Sequence, residues 1–409
     1  MVMRRILTCL VFLLAVPSTG LAGVKASLRE VADPRAAGMD AAGLRKVDAL
    51  INAAIRRQVT PGAALAIGRN GKVVRLRGYG RTDYGSAAAR VDEHTLYDLA
   101  SLTKAVGTTS AVMLLVQQGR LDLDAPLGDY LMEWRAALDR QQLTARHLLS
   151  HTSGLPPGGS LGGVGRDRSL VPAFMAGIRL TAPPGVRYEY SDYGMILLGA
   201  VVERITGERL DAFLDRHLFQ PAGLRETGFV PLPMEPDEAV SAFRLTASRR
   251  ALISRIAPTE RTVSRGHIRG VVHDPLAYRL HGVAGHAGMF SSAHDLALFA
   301  QLLLEEGVQD STRIFDSSVL RAFTGRPSRD ARFALGWELG REGGPSGTLF
   351  PSSSFGHTGF TGTSIWIDPE HSLYVVLLTN RVSPNASEKR HAKLRRDVHD
   401  AVQRALLPG

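Results

Sequence analysis

The chain has 409 residues, 44% of them hydrophobic and 22% charged, and carries a formal net charge of +10. This apolar content is enough for one large core or two moderate ones, so a disordered chain is excluded. Basic residues are spread along the sequence with no aromatic-interleaved basic stretch, so they read as ordinary surface; this argues against a nucleic-acid partner and leaves attraction to an anionic envelope polymer open.

Arg4-Arg5, an apolar run from Ile6 to Val16, Pro17 and the small residues Gly20, Ala22 and Gly23 read as a secretory leader over residues 1–22, cleaved near Ala22-Gly23. The run is too short for a membrane anchor, and no later stretch is long enough to cross a bilayer. Export predicts a periplasmic or secreted protein. The single cysteine, Cys9, lies inside the apolar run, too early for a lipidated start. The processed chain then has no thiol nucleophile, disulfide or cysteine-ligated metal.

From Asp40 to Arg57, Leu44, Val47, Leu50, Ile51, Ala54 and Ile55 recur at helical spacing, and Pro61-Gly62 ends the pattern. Ala63 to Ile67 and Val73 to Arg77 read as strands around Asn70-Gly71, a pair that tolerates the positive φ of a tight hairpin turn. Ser101 precedes a helix running to Gln118 with a buried stripe of Ala105, Thr109, Val112, Leu115 and Val116. The middle of the chain is mainly helical. Gly158 to Gly165 lacks the leading strand and closing Gly-Lys-Ser or Gly-Lys-Thr of a phosphate cradle and reads as a rim. Ser292 and Asp295 resemble a capping box before a helix to Leu304. Strands Thr363 to Ile367 and Leu373 to Thr379 follow, then a helix from Ser387 to Leu407. Strands and helices at both ends predict an α/β (α+β) fold: one antiparallel sheet built from the N- and C-terminal segments, flanked by helices, with a mainly helical lobe inserted. The sheet region spans about 40–98 and 335–409, and the lobe about 99–334, of a domain over 30–409.

Ser101-Leu102-Thr103-Lys104 puts a hydroxyl and an amine on one helix face. A lysine held in a dry pocket can act as the base a serine needs, and a helix N-terminus supplies unpaired N–H groups for an oxyanion. Tyr188-Glu189-Tyr190-Ser191-Asp192 precedes a second helix, with Tyr190 at its mouth, and Gly356-His357-Thr358-Gly359-Phe360 opens a strand. Each motif alone is weak. His151 reads as a structural histidine bonded to a loop. The five histidines from His267 to His294, with Asp274, match no compact ligand spacing, so no metal is expected. The glycine-rich Gly282 to Gly288 reads as a loop bordering a cleft.

The order Ser-x-x-Lys, Tyr-Ser-Asp, His-Thr-Gly resembles the serine β-lactamase and penicillin-binding protein superfamily, specifically its class C-like branch. The segments Leu148 to Leu155 and Leu218 to Leu224 are similar to that branch too, and the resemblance covers about residues 35 to 405. It implies a β-lactamase/transpeptidase-like fold and a serine hydrolase without a cofactor. Ser101 would be the acylated nucleophile, Lys104 and Tyr190 would shuttle its proton, and the backbone N–H groups of Ser101 and Phe360 would form the oxyanion hole. Asp192 stands where the family more often has Asn, and a carboxylate there would hold Lys104 protonated and move the base role toward Tyr190. His357, with Thr358 and Gly359 in the substrate-binding strand, stands where many members have Lys. A mostly uncharged histidine anchors a substrate carboxylate less firmly.

The implied substrate is a small molecule or peptide, most naturally the D-alanyl-D-alanine end of peptidoglycan stem peptides. A short-chain esterase, a β-lactamase and a non-catalytic module that recognises cell-wall peptide are the other readings. A hairpin turning near Glu370 sets Gly359 opposite Arg381, bringing a guanidinium beside the His-Thr-Gly strand to hold a substrate carboxylate together with Thr358. The bland reading of Arg381 is a solvated strand end.

Overall fold

Asp40 starts the first helix by accepting hydrogen bonds from the Ala42 and Gly43 backbone N–H groups at 3.2 and 2.8 Å. In this computed structural model, which describes residues 27–135, 142–162, 164, 167–230, 232, 252–262, 265–383 and 387–408, the helix α1 spans Ala41–Arg56. The expected leader with Cys9, and Gly163 and Gly165 of the glycine-rich rim, lie outside the described residues. Next come β1 (Gly62–Arg69) and β2 (Lys72–Gly80), joined at Asn70 and Gly71 with φ of 52° and 71°, the conformation a two-residue hairpin requires.

The nucleophile candidate lies before a π-helical segment, Thr103–Thr109, that continues into α2 (Ser110–Gln117), so the predicted helix is present but its first turns are wider than an α-helix. The lobe also contributes α3 (Asp192–Thr206) and α4 (Ala293–Leu304), plus a small sheet of Tyr97–Asp98, Met289–Ser291 and Gly228–Phe229. The chain then returns through β3 (Glu338–Leu339), β4 (Phe355–Thr358), β5 (Ser364–Asp368), β6 (Leu373–Thr379) and α5 (Glu388–Gln403).

All neighbours in the main sheet are antiparallel, in the order β3-β4-β5-β6-β1-β2, so the two chain ends meet where β6 pairs with β1. Side chains alternate across a strand, and here the alternation divides two cores. Ala63, Leu65, Ile67, Val375, Leu377 and Trp366 face the terminal helices α1 and α5, whereas Ala64, Ala66, Val376, Leu378, Ile365 and Ile367 face α4 and the lobe. Trp366 is fully buried beside His399 of α5, and truncating it to Ala would cost about 3–5 kcal/mol. No helix among the described residues is long and apolar enough to cross a membrane.

Two local expectations need correction. The His-Thr-Gly triplet closes β4 instead of opening a strand, and β4 is flanked by β3 and β5 instead of forming the sheet edge. The register that set Gly359 opposite Arg381 also fails. β5 and β6 pair Ser364 with Leu377 and Asp368 with Leu373, one residue away from that count. Gly359 has left the ladder for a tight turn in which its N–H donates to the Thr363 carbonyl at 2.8 Å.

Candidate active site

Ser101 sits at a strained entry to its helix. Ala100 has φ of 45°, uncommon for a residue with a side chain, and is held there by its N–H donating to buried Asp98 at 2.8 Å. The other Asp98 carboxylate oxygen accepts from the His273 backbone at 2.7 Å. Burial raises the Asp98 carboxyl pKa, and these two N–H groups pull it back.

The β4–β5 turn clamps the same segment. Thr361 and Thr363 donate to the Asp98 and Leu99 carbonyls at 2.7 and 3.0 Å. A Cβ on Gly359 would lie 2.4 Å from the Leu99 carbonyl oxygen and 2.1 Å from Thr363 Oγ1, so only glycine permits this approach. The turn thereby brings residue 360 to the Ser101 segment, and neither the Ser101 nor the Phe360 backbone N–H is taken up by a protein acceptor among the described residues.

Lys104 has no exposed surface. Its Nζ lies 2.9 Å from Ser101 Oγ, 2.7 Å from Asp192 Oδ1 and 3.1 Å from the His286 carbonyl, to which it donates. Tyr190 packs beside them, its ring centroid 5.0 Å from that nitrogen, with its phenol under the influence of both Lys104 and Ser101. Burial alone would lower the pKa of the Lys104 amine, but Tyr190 and Asp192 outweigh burial and raise it, so the amine is charged. Burial raises the Tyr190 phenol pKa, and Lys104 opposes this without reversing it.

Asp192 is the first residue of α3, whose cap Ser191 accepts from the Gly194 N–H at 3.2 Å. His151 is buried behind Tyr190, with ring centroids 4.4 Å apart, and its Nδ1 accepts the Ser191 N–H at 3.2 Å. Burial first, and then the Lys104 charge, hold it neutral. Its geometry is that of a positioning group.

His357 is 2% exposed, and burial followed by the Lys104 charge pushes its pKa down to about 3. The ring donates from Nδ1 to the Thr358 carbonyl at 2.8 Å. It offers no positive charge at neutral pH. Thr358 is half-buried at the end of β4. Arg381 reaches the site by a different route from the one counted on the ladder. Its backbone N–H donates to the Thr361 carbonyl at 2.9 Å, and its guanidinium lies 4.5 Å from the centroid of the Phe360 ring. It is 5% exposed, so it is not a solvated strand end. The opposite contact of the exposed Phe360 ring is His273, stacked at 5.6 Å.

Ser101, Lys104 and Asp192 are thus one bonded group against which the Tyr190 ring packs, with His357 and the Gly359–Phe360 turn beside it. Sequence reasoning did not single out Asp98, Asp274 or His286 for a role. Among the described residues, two clusters have metal-ligand chemistry: His94 with Glu226 and His294, and Asp192 with Asp274 and His286. The second surrounds the Lys104 ammonium, which already supplies positive charge there.

A hydroxyl bonded to a buried cation, with a phenol beside it and two backbone N–H groups that no protein acceptor takes up among the described residues, is built for acyl transfer. The β-lactamase family profile matches residues 47–400. The chain is 32% identical over 366 residues to an N-acetylmuramyl-L-alanine amidase of Bacillus subtilis, covering 83% of this chain and 81% of that protein. It is 31% identical over 383 residues to a Salmonella schwarzengrund protein provisionally named D-alanyl-D-alanine carboxypeptidase, covering 88% and 87%. Among solved structures, EstCE1, a hydrolase with promiscuous acyltransferase activity, shares the fold with a TM-score of 0.68 at 23% identity, over 88% of this chain and 98% of that one. The chain belongs to the β-lactamase family, and within it is a serine hydrolase of the β-lactamase and penicillin-binding protein superfamily.

Proposed function

We propose that this hydrolase is exported, that residues 30–409 form its catalytic domain, and that it cleaves peptide or amide bonds of the D-alanyl-D-alanine cell-wall type through an acyl-enzyme on Ser101. The observation that carries the proposal is the 2.9 Å contact between Ser101 Oγ and the charged, buried Lys104, with the Tyr190 ring centroid 5.0 Å from the same nitrogen. Burial keeps most of the Tyr190 phenol protonated, and its minor ionised form, favoured by Lys104, accepts the Ser101 proton as Oγ bonds to the substrate carbonyl carbon. The oxyanion is held by the Ser101 and Phe360 N–H groups. Tyr190 then gives its proton to the leaving amine as the C–N bond breaks, and water reverses the sequence to free the carboxylic acid. The names of the amidase and carboxypeptidase relatives support cell-wall peptide as the substrate class.

A carboxylate on such a substrate needs an anchor, and neutral His357 cannot pair with it as a cation. Arg381, with Thr358, is the proposed anchor, at the Phe360 edge of the site. The neutral His357 favours a second reading, a short-chain esterase, because an uncharged ester has no need of a carboxylate partner. Parallel assays of a peptide ending in D-alanyl-D-alanine, a short-chain ester and a cephalosporin, each with wild type and Arg381→Ala, separate the two. The first reading predicts release of D-alanine, with a selective loss for the carboxylate substrates in the variant. Ester turnover alone, indifferent to Arg381, would establish the second.

A further inference from the structure

The loop behind Lys104 is held far more firmly than a cleft border needs to be. Thr108 Oγ1 donates to the Gly285 carbonyl at 2.6 Å, and the Met289 N–H donates to Thr103 Oγ1 at 3.2 Å. A Cβ on Gly285 would lie 1.9 Å from the Met195 carbonyl oxygen, so the loop is pressed against α3 as well. Between these fixed points His286 turns its carbonyl to the Lys104 ammonium at 3.1 Å and its ring the other way, to Asp274 Oδ1 at 2.7 Å. The ring is 1% exposed. A carboxylate only accepts, so the Nε2 proton points at Asp274. Asp274 Oδ1 also accepts the Ala277 N–H at 2.8 Å, capping the short Pro275–Arg279 helix, so the carboxylate is itself anchored.

We propose that Asp274 and His286 are a positioning pair for Lys104: the carboxylate fixes the imidazole, the imidazole fixes its own residue's carbonyl on the ammonium, and the carboxylate adds a second negative charge behind the cation. The pair touches no substrate and acts through Lys104, so it rests on the reading of Lys104 as the cation beside an acylated Ser101. Carboxylate oxygens of Asp192 and Asp274 and a ring nitrogen of His286 lie within 4.8 Å of one another, so the Lys104 ammonium has one anion in direct contact and a second close enough to feel its charge. Burial pushes the Asp274 carboxyl up, but His286, the Ala277 N–H and Lys104 more than reverse this and hold it ionised. Such outer partners orient reacting groups to within fractions of an ångström, and their loss is felt as a slower chemical step.

The test is the rate of Ser101 labelling by a fluorophosphonate, followed by intact-protein mass across pH 5–10 and resolved into reagent binding and the bond-forming step. The groups that act on the Lys104 ammonium are Asp192, Tyr190, His286, Asp274, His151 and His357, while Asp98, bonded to the His273 N–H, lies near enough to Asp274 to interact with it. Asp274→Asn keeps an oxygen for the Ala277 N–H and removes only the charge. A lost negative charge makes nearby protons easier to release, so the acid limb should move to lower pH by about half a unit, with the bond-forming step slowed roughly tenfold and reagent binding within about twofold. His286→Ala should lose at least about tenfold in the same step, and His286→Gln, which can still donate to Asp274, should recover most of it. A slowed step with an unmoved acid limb in Asp274→Asn would overturn the proposal, as would both variants labelling within twofold of wild type at every pH. Labelling that persists in Ser101→Ala would instead remove the underlying reading, an outcome distinct from either.

Discussion

Asp192 Oδ1 lies 2.7 Å from the Nζ of Lys104, a side chain with no exposed surface. Where an asparagine would leave the amine free to lose its proton as burial dictates, this carboxylate keeps it charged. Lys104 is then a cation that opposes the burial which raises the Tyr190 phenol pKa, and with its own proton held it leaves Tyr190 as the group to take the Ser101 proton.

Replacing Asp192 tests that division of roles. Asp192→Ala strands a charge in the interior and should destabilise the fold by somewhat less than the ~3–5 kcal/mol of a fully buried pair, because Asp192 is 30% exposed. Asp192→Asn should lose less stability and shift the acid limb of acylation to lower pH, since removing a neighbouring negative charge eases proton loss. Urea titrations and pH–rate profiles measure the two effects. An unmoved acid limb in Asp192→Asn would mean that neither Tyr190 nor Lys104 sets it.

Gly359→Ala puts a methyl 2.4 Å from the Leu99 carbonyl oxygen, so the β4–β5 turn must retreat from the Ser101 segment. Acylation should fall by about 10²-fold, the magnitude expected for a displaced oxyanion donor, while the sheet stays folded. Stopped-flow acylation alongside circular dichroism checks this. A rate within threefold of wild type would mean that the turn has no part in catalysis.

His357 is held neutral with a pKa of about 3, well below its unfolded value near 6.5. The unfolded chain therefore binds more protons between those limits, and His151, His391 and His399, also lowered by burial, act in the same sense. Stability is full above about pH 6.5 and falls as the pH drops through 6.5 toward 3. Urea midpoints should decrease steadily over that window, with a smaller slope in His357→Phe. An equal slope in both would show that His357 does not contribute.

His357→Lys restores the cation common elsewhere in the family, at a site 2% exposed and already facing Lys104. The variant should acylate faster with a penicillin relative to a neutral ester, by roughly tenfold, with a stability loss from the second buried cation. Competitive labelling by the two reagents gives the ratio. An unchanged ratio would mean that a penicillin carboxylate does not reach this strand.

How far the sequence alone leads depends on whether local chemistry or long-range packing decides each feature. Asn70-Gly71 announces its hairpin because few residues accept its backbone angles, and Asp40 announces a helix start because its side chain can satisfy the first N–H groups. The Arg381 register could not be counted, because Gly359 leaves the strand to pack on Leu99, a contact 260 residues away in sequence that hydrophobic patterning does not encode. For the same reason Asp274 and His286, twelve residues apart in a glycine-rich stretch, gave no sign of meeting behind Lys104. The order of the three motifs could be read, whereas the distances among them came only from the folded chain.

The most direct measurement is intact-protein mass spectrometry of wild type and Ser101→Ala after exposure to a fluorophosphonate, a penicillin and a short-chain acyl ester. Wild type should gain one adduct per chain, mapped by peptide sequencing to Ser101 and clearing at different rates for the penicillin and the ester, while Ser101→Ala keeps its unmodified mass and its circular dichroism spectrum. An adduct on any other residue, or turnover by Ser101→Ala within about tenfold of wild type, would contradict a Ser101 acyl-enzyme.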